Sequence, residues 1–414
     1  ALPALLEQVA QDVLISAFDS AGQRCSALRV LCVQDDVADR LVEMIEGALR
    51  AWRVGLPGDL ATDVGPVIDE SARAGIEAHI ATMRARGLKV LQPALVDPQA
   101  LQQGPYVTPT LIEIDDLGVL THEVFGPVLH VLRYRRDDLP QVLERVRATG
   151  YGLTMGVHSR IDETIAQVVQ GSRAGNLYVN RTTVGAVVGV QPFGGEGLSG
   201  TGPKAGGPLY LLRLLAERPD NAPREAIEAS GPPAQVPVRG LDAPEGPAAA
   251  LQALTRWAKA LGNDTLTQTL NDLASQRCGA HWRALPGPTG EANLYAIRGR
   301  EQVLCLADDD GDRLTQLAAV LTADAQAVWP AEYASLHDRL PTAVREAIVL
   351  ARDWRDPCVT VDAALHHGDA ASCQTVLQAL AERPGPIVTL TALNRGDRRV
   401  PLERLWTERS LSIN

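Results

Sequence analysis

The alternation of helical and extended stretches constrains the fold of this chain most. Helical periodicity spans residues 36–52 and 69–86, and extended apolar stretches occupy 28–34, 87–91, 106–114 and 128–134. A second round follows, with helix 139–148, strand 152–158, helix 162–171 and strand 176–179. Strands separated by crossover helices pair largely in parallel, with helices covering the sheet. Residues 247–261 and 265–274 again read as helices, and 294–298, 303–306, 359–365 and 387–392 as strands with helices between them. The predicted fold class is therefore α/β throughout. Between the two parts, Pro219, Pro223, Pro232, Pro233, Pro237 and Pro244 stand among alanines and small residues with little apolar periodicity, which marks a connection. Proline stiffens such a segment, so it can lie along a neighbouring surface. The expected organisation is a first domain over 1–217, a Pro/Ala-rich connection over 218–246 and a second domain over 247–414.

Composition narrows the function. A hydrophobic fraction of 45% over 414 residues supports packed cores, and the length suits two or three domains. A net charge of −11 with no basic stripe excludes an electrostatic nucleic-acid footprint in this stretch. The six cysteines, at 25, 32, 278, 305, 358 and 373, lack paired short spacings, which points to a reducing compartment, the cytoplasm. No apolar run reaches the roughly 18–20 residues of a membrane span. The sequence opens inside an amphipathic helical stretch, residues 5–14, with neither a methionine nor a cap, and is expected to be a fragment.

One thiol stands out. Gly22-Gln23-Arg24-Cys25-Ser26 sets Cys25 on a small-residue turn with a cation before it and a hydroxyl after it. Cationic neighbours and exposed N–H groups raise the thiolate fraction of a cysteine and so its nucleophilicity. Alone, Cys25 reads more readily as a small buried hydrophobe before a strand, since cysteine is usually buried and inert. Further segments change that balance: Glu123-Val124-Phe125-Gly126-Pro127, Gly175-Asn176-Leu177-Tyr178-Val179-Asn180 and Gln191-Pro192-Phe193-Gly194-Gly195. Together the four resemble the catalytic half of the aldehyde dehydrogenase superfamily, from about residue 5 to about residue 215. Residues 18–29 and 199–208 resemble the L-glutamate γ-semialdehyde dehydrogenase module of the proline utilization A family.

The resemblance implies an aldehyde dehydrogenase catalytic domain followed by a Rossmann-like, aldehyde-dehydrogenase-like C-terminal domain without catalysis. It implies NAD-dependent oxidation of glutamate semialdehyde to glutamate in proline catabolism, in a bacterial homo-oligomer. An FAD-binding proline dehydrogenase domain lies upstream in the family, and some members carry an N-terminal DNA-binding domain. Carried over residue by residue, Cys25 is the nucleophile, and its main-chain N–H helps hold the oxyanion. Glu123 accepts hydrogen bonds from the nicotinamide ribose and Phe125 supports the nicotinamide ring. Gly185 and Ala186 anchor the substrate carboxylate, Ser26 assists, Arg24 attracts it, and Phe193 packs on the aliphatic chain.

Other features carry less. Cys32 falls in an apolar strand and reads as core. Gly195-Glu196-Gly197-Leu198-Ser199-Gly200 fits a dinucleotide fingerprint in letters only, since Pro192 precedes it and Pro203 follows where strand and helix are required. It reads as a tight loop, which leaves Lys204 on the surface. His366-His367 has no supporting ligand spacing, so no metal is assigned, and His122 and His158 show no partner signature. Trp282, Trp329, Trp354 and Trp406 read as core or interface aromatics. The family's general-base glutamate, its oxyanion asparagine and its NAD-binding domain, which would hold most of the NAD, have no counterpart here. The 414-residue chain alone is therefore expected to lack NAD-dependent turnover. Two alternatives stay open: a non-catalytic capping or oligomerisation piece, and a thiol esterase.

Overall fold

The computed structural model describes residues 5–241, 249–278 and 281–414. They form two compact α/β units. The first takes the chain up to Val187 with Pro237–Leu241 and Leu411–Asn414; the second takes Val188–Val236 and the described part of Asp242–Ser410. The units thus part at Val187/Val188, earlier than residue 217.

In the first unit, strands Val30–Gln34, Val128–Tyr134, Thr110–Ile114 and Val90–Leu91 lie side by side in that order. The first two pairings are parallel and the last antiparallel. Because side chains alternate across a strand, each strand feeds two cores. Leu111, Leu129 and Val131 pack with helices Leu6–Phe18 and Asp35–Leu49 on one face. Ile112, Ile114, Val128 and Leu132 pack with helix Glu70–Ala85 on the other. Each aliphatic side chain so buried stabilises the fold by about 1.5–3 kcal/mol. Helix Asp35–Leu49 buries Val37, Ala38, Leu41, Val42, Ile45 and Leu49, the one-sided spacing of an amphipathic helix. Helix Glu70–Ala85 starts where the Asp69 side chain accepts from the Ala72 N–H at 2.8 Å, an N-cap that satisfies an otherwise orphaned donor. The strand expected over 106–114 is shorter, because Pro105 and Pro109 bring no N–H to a ladder; Tyr106 and Val107 are buried without joining it. Strands Thr154–Val157 and Asn176–Val179 pair in parallel.

In the second unit, five strands run parallel in the order Ile348–Ala351, Gln326–Pro330, Gln302–Ala307, Ala363–His367, Thr389–Leu393. The order reverses between Gln302–Ala307 and Ala363–His367, the hallmark of a doubly wound sheet. Helix Asp310–Thr322 is buried from Asp312 to Thr322 and packs in a core with Trp329, which is fully buried. Strands 326–330 and 348–351 lack a sequence counterpart, since short apolar runs do not separate from helix by periodicity alone.

The connection is ordered over its described part. Helix Ala222–Ala229 buries Pro223 and Ile227, and Pro233 bridges to Arg283. Residues 242–248, which hold the end of the expected connection and the first residues of the expected second domain, lie outside the described residues.

Lys204 corrects an expectation. It is buried, its Nζ donates to the Gly194 carbonyl at 2.6 Å, and its main-chain N–H donates to Glu408 Oε2 at 2.6 Å. The glycine loop folds back through a Phe193–Ala205 bridge and encloses the lysine. Burial pushes the amine down to about 7, against the pull of Glu408 and Glu196. The tryptophans are core: Trp282, Trp329, Trp354 and Trp406 are all buried.

Candidate active site

The chain enters the site by an unusual turn. Helix Leu6–Phe18 ends in Asp19–Gly22, where Ser20, Ala21 and Gly22 all take positive φ, at 56°, 54° and 64°. Left-handed geometry costs non-glycine residues roughly 1–3 kcal/mol each, so surrounding contacts hold this turn. At Gly22 a Cβ would stand 2.3 Å from the Gly126 carbonyl oxygen, so only glycine lets the two segments approach this closely. The turn delivers Cys25 to the surface just before strand Val30–Gln34. Its main-chain N–H has no partner among the described residues.

Arg29, absent from the sequence-derived set, gathers the site. Its Nε donates to Glu123 Oε1 at 3.0 Å, Nη1 to the carbonyls of Gly22 at 2.5 Å and Gly126 at 3.3 Å, and Nη2 to the Arg24 carbonyl at 3.1 Å. Its guanidinium carbon lies 4.7 Å from the centroid of the Phe125 ring, a cation–π distance. Burial lowers its pKa, and the charges of Glu123 and Cys25 oppose that fall. Its main-chain oxygen faces His130 Nδ1 at 3.1 Å, and His130 Nε2 lies 2.9 Å from His79 Nε2. A carbonyl can only accept, so Nδ1 carries the proton and Nε2 accepts from His79. Burial pushes His130 down to about 4, which keeps this support neutral.

Gln23 adds a second tie. Its Oε1 accepts from the Ile68 N–H at 2.8 Å and its Nε2 donates to the Phe125 carbonyl at 3.3 Å. Cys25, Glu123 and Phe125, separated in sequence, are thus brought together by Arg29 and Gln23. Glu123 leaves Oε2 with no partner among the described residues, and Phe125 is 41% exposed. A free carboxylate oxygen beside an accessible ring suits a ribose diol and a flat heteroaromatic ring.

Arg24 is exposed, and its Nε donates to Ser20 Oγ at 3.0 Å. Ser26 is buried, and its carbonyl accepts from Thr183 Oγ1 at 2.9 Å. The Thr183 N–H donates to Ser16 Oγ at 3.1 Å, so the loop carrying Gly185 and Ala186 is mounted on the segment that carries Cys25. Gly185 has φ +84° with open space around it, and the N–H groups of Gly185 and Ala186 have no partner among the described residues. Successive unpaired N–H groups around a left-handed residue suit an anion. Phe193 belongs to the second unit and pairs with Ala205 through 3.0 and 2.9 Å hydrogen bonds.

Two residues given no role are accounted for structurally. Cys32 has a buried thiol pushed up to about 12 by burial. His158 Nε2 meets Asp12 Oδ2 at 2.8 Å. In the second unit His367 faces Gln316 and the Asp397 carbonyl, each at 2.9 Å. Arg29 and Thr183 escaped notice because their partners lie far along the chain: 94 residues to Glu123 and 157 to Ser26. The one local hint is a charge at position 29 directly before the apolar run 30–33.

The profile described as the aldehyde dehydrogenase family matches residues 3–217. The bifunctional protein PutA of Salmonella typhimurium is 54% identical over 424 residues, covering 99% of this chain and 31% of that protein. A 1-pyrroline-5-carboxylate dehydrogenase of Geobacillus is 36% identical over 209 residues, 50% of this chain and 39% of that protein. The solved structure of proline utilization A from Corynebacterium freiburgense matches with a TM-score of 0.69 at 23% identity, over 99% of this chain and 38% of that one, a likeness of fold. The chain thus spans about a third of the length of its full-coverage curated relatives, at 31%.

Proposed function

Because this chain belongs to the aldehyde dehydrogenase family, we propose that it is the nucleophile-bearing part of an NAD-dependent L-glutamate γ-semialdehyde dehydrogenase of proline catabolism. The observation that carries this reading is the exposed Cys25 thiol on a strained turn that Arg29 ties to Glu123 and Phe125. Likeness to the proteins named PutA and 1-pyrroline-5-carboxylate dehydrogenase supports the substrate.

The thiolate of Cys25 attacks the aldehyde carbon, forming a C–S bond and leaving the electron pair on oxygen as a thiohemiacetal. The unpaired Cys25 N–H donates to that oxygen; one such donor is typically worth about 10²–10³ in rate. The N–H groups of Gly185 and Ala186 bind the substrate carboxylate, with Ser26 and Arg24 assisting. Loss of a hydride from the former aldehyde carbon, for which NAD would supply the acceptor, re-forms the carbonyl as a thioester, and water cleaves that C–S bond to release glutamate and the thiol. Glu123 and Phe125 hold the nicotinamide riboside end of NAD, which when bound supplies the hydride acceptor.

In this reading residues 1–217 form the catalytic part, 218–246 the connection and 247–414 an aldehyde-dehydrogenase-like domain without catalysis, in a protein that works as a homo-oligomer. The longer protein carries an FAD-dependent proline dehydrogenase activity as well, consistent with relatives named bifunctional, and works in the cytoplasm, consistent with six free cysteines. Among the described residues no helix is long and apolar enough to cross a membrane.

The test feeds glutamate semialdehyde to the full-length protein and follows NADH, with mass spectrometry of the quenched enzyme. NADH formation with a glutamyl thioester on Cys25 is expected. Turnover without an adduct at Cys25 would reject the covalent assignment, and ester hydrolysis in the absence of any NADH formation would favour the esterase.

A further inference from the structure

The nucleophile turn and the Glu123–Gly126 segment come from distant stretches of chain, yet their chemistry requires sub-ångström registry. Gly22 and Gly126 approach so closely that a Cβ on Gly22 would overlap the Gly126 oxygen. Main-chain contact alone does not hold two carbonyl-lined segments together, because Gly22 and Gly126 both present acceptors. A fixed donor between them does. Arg29 fills that place with one planar group: it grips Gly22 and Arg24 on the nucleophile side, and Glu123 and Gly126 on the other. Phe125 covers its face, and its own carbonyl is fixed by His130.

The arrangement also assigns the two carboxylate oxygens of Glu123 separate tasks. Oε1 is held by Arg29, and Oε2 is left for a ligand. A carboxylate tethered at one oxygen presents the other in a defined direction, so less rotamer freedom is lost when a diol binds. Lysine could supply the charge but not the fork, since one ammonium cannot span four acceptors on two segments.

We infer that Arg29 is a positioning residue which sets the thiol of Cys25 and the dinucleotide-binding residues Glu123 and Phe125 in register, and so governs hydride transfer more than thiol attack. The inference rests on the dehydrogenase reading above. It separates from that reading experimentally, because thiol attack can be followed without dinucleotide by ester hydrolysis at Cys25.

The test compares R29M, R29K and E123Q in the full-length enzyme, measuring NADH formation, KM for NAD, and hydrolysis of an activated ester without NAD. For R29M the expected result is a KM for NAD raised about 10-fold, the loss of one charge-assisted contact, and NADH turnover at saturation lowered about 100-fold, the effect of a misplacement near 1 Å. Ester hydrolysis falls less than NADH turnover, so the ratio of the two activities shifts at least about tenfold. R29K shows the same split to a smaller extent. The double variant R29M/E123Q loses less than the product of the single losses, because the two side chains act through one contact.

Equal loss of both activities in R29M would make Arg29 a fold-supporting residue only and overturn the inference. Wild-type NAD kinetics in R29K would overturn it in favour of simple charge. If R29M fails to give folded protein by circular dichroism, the ratio of the two activities in R29K decides. A wild-type enzyme that hydrolyses ester but forms no NADH removes the dehydrogenase reading and this inference with it, whereas NADH formation with an unsplit R29 series removes the inference alone.

Discussion

Both units set parallel strands among helices and both bury thiols, yet the one exposed thiol in each stands in opposite surroundings. In the first, Cys25 is exposed at the end of a strained turn, and a guanidinium lies within electrostatic reach. In the second, Cys305 is fully buried and pushed up to about 12 by burial, and Cys278 to about 11. The exposed Cys358 of the second unit has Asp356 beside it, whose hydrogen bond and charge raise its pKa. Exposure alone therefore does not make a nucleophile. A carboxylate beside an exposed thiol favours the protonated thiol over the nucleophilic thiolate.

The sharpest way to break this comparison is to exchange the sulfurs singly. Cys25→Ser is expected to lower NADH formation from glutamate semialdehyde at least about 10⁴-fold, as loss of a covalent nucleophile does, whereas Cys358→Ser and Cys305→Ser keep wild-type turnover. A dehydrogenase assay that finds Cys358→Ser as damaging as Cys25→Ser would invert the contrast. Next in size is Gly22→Ala. A methyl group 2.3 Å from the Gly126 oxygen at a φ of +64° is expected to cost about 3 kcal/mol in urea unfolding, with most of the activity lost as the turn shifts. Unchanged stability would mean that the turn and the Gly126 segment are not held together.

The smallest effect concerns the second unit and reads as a slope. Lys204 falls from its ordinary 10.5 to about 7 through burial. The unfolded chain therefore binds a proton that the folded chain does not, between about pH 7 and 10.5. Stability rises with pH wherever the unfolded state holds more protons, so the lysine's penalty is full below pH 7 and disappears as pH climbs to 10.5. Lys204→Met is expected to flatten this part of the stability profile, measured by urea unfolding at successive pH values. Parallel profiles for variant and wild type would show that the amine keeps its ordinary affinity for protons.

The α/β class and the long helices were legible because periodicity is local: Asp35–Leu49 shows its buried stripe in its own residues. Strand ends were less so, since Pro109 stops a ladder that apolar content alone would extend. Helix Ala222–Ala229 hid behind proline and alanine, although Pro223 stands in its first turn, where proline is tolerated. Lys204 was misjudged because its acid partner Glu408 is 204 residues away. The same holds at the candidate site. Cys25, Glu123 and Phe125 sit in recognisable segments, while Arg29 becomes meaningful only when those segments meet.

The Thr183 side chain and amide, bonded to Ser26 and Ser16, give the stretch after it a fixed hinge point while Gly185 beyond stands in open space. That geometry leaves Gly185 and Ala186 as the exchangeable positions of the loop, since Val184 is buried. Under the proposed function, altering the size or charge of the aldehyde accepted would call for rewriting those two positions and leaving Thr183 alone, since a change at the hinge would reach Ser26, next to Cys25.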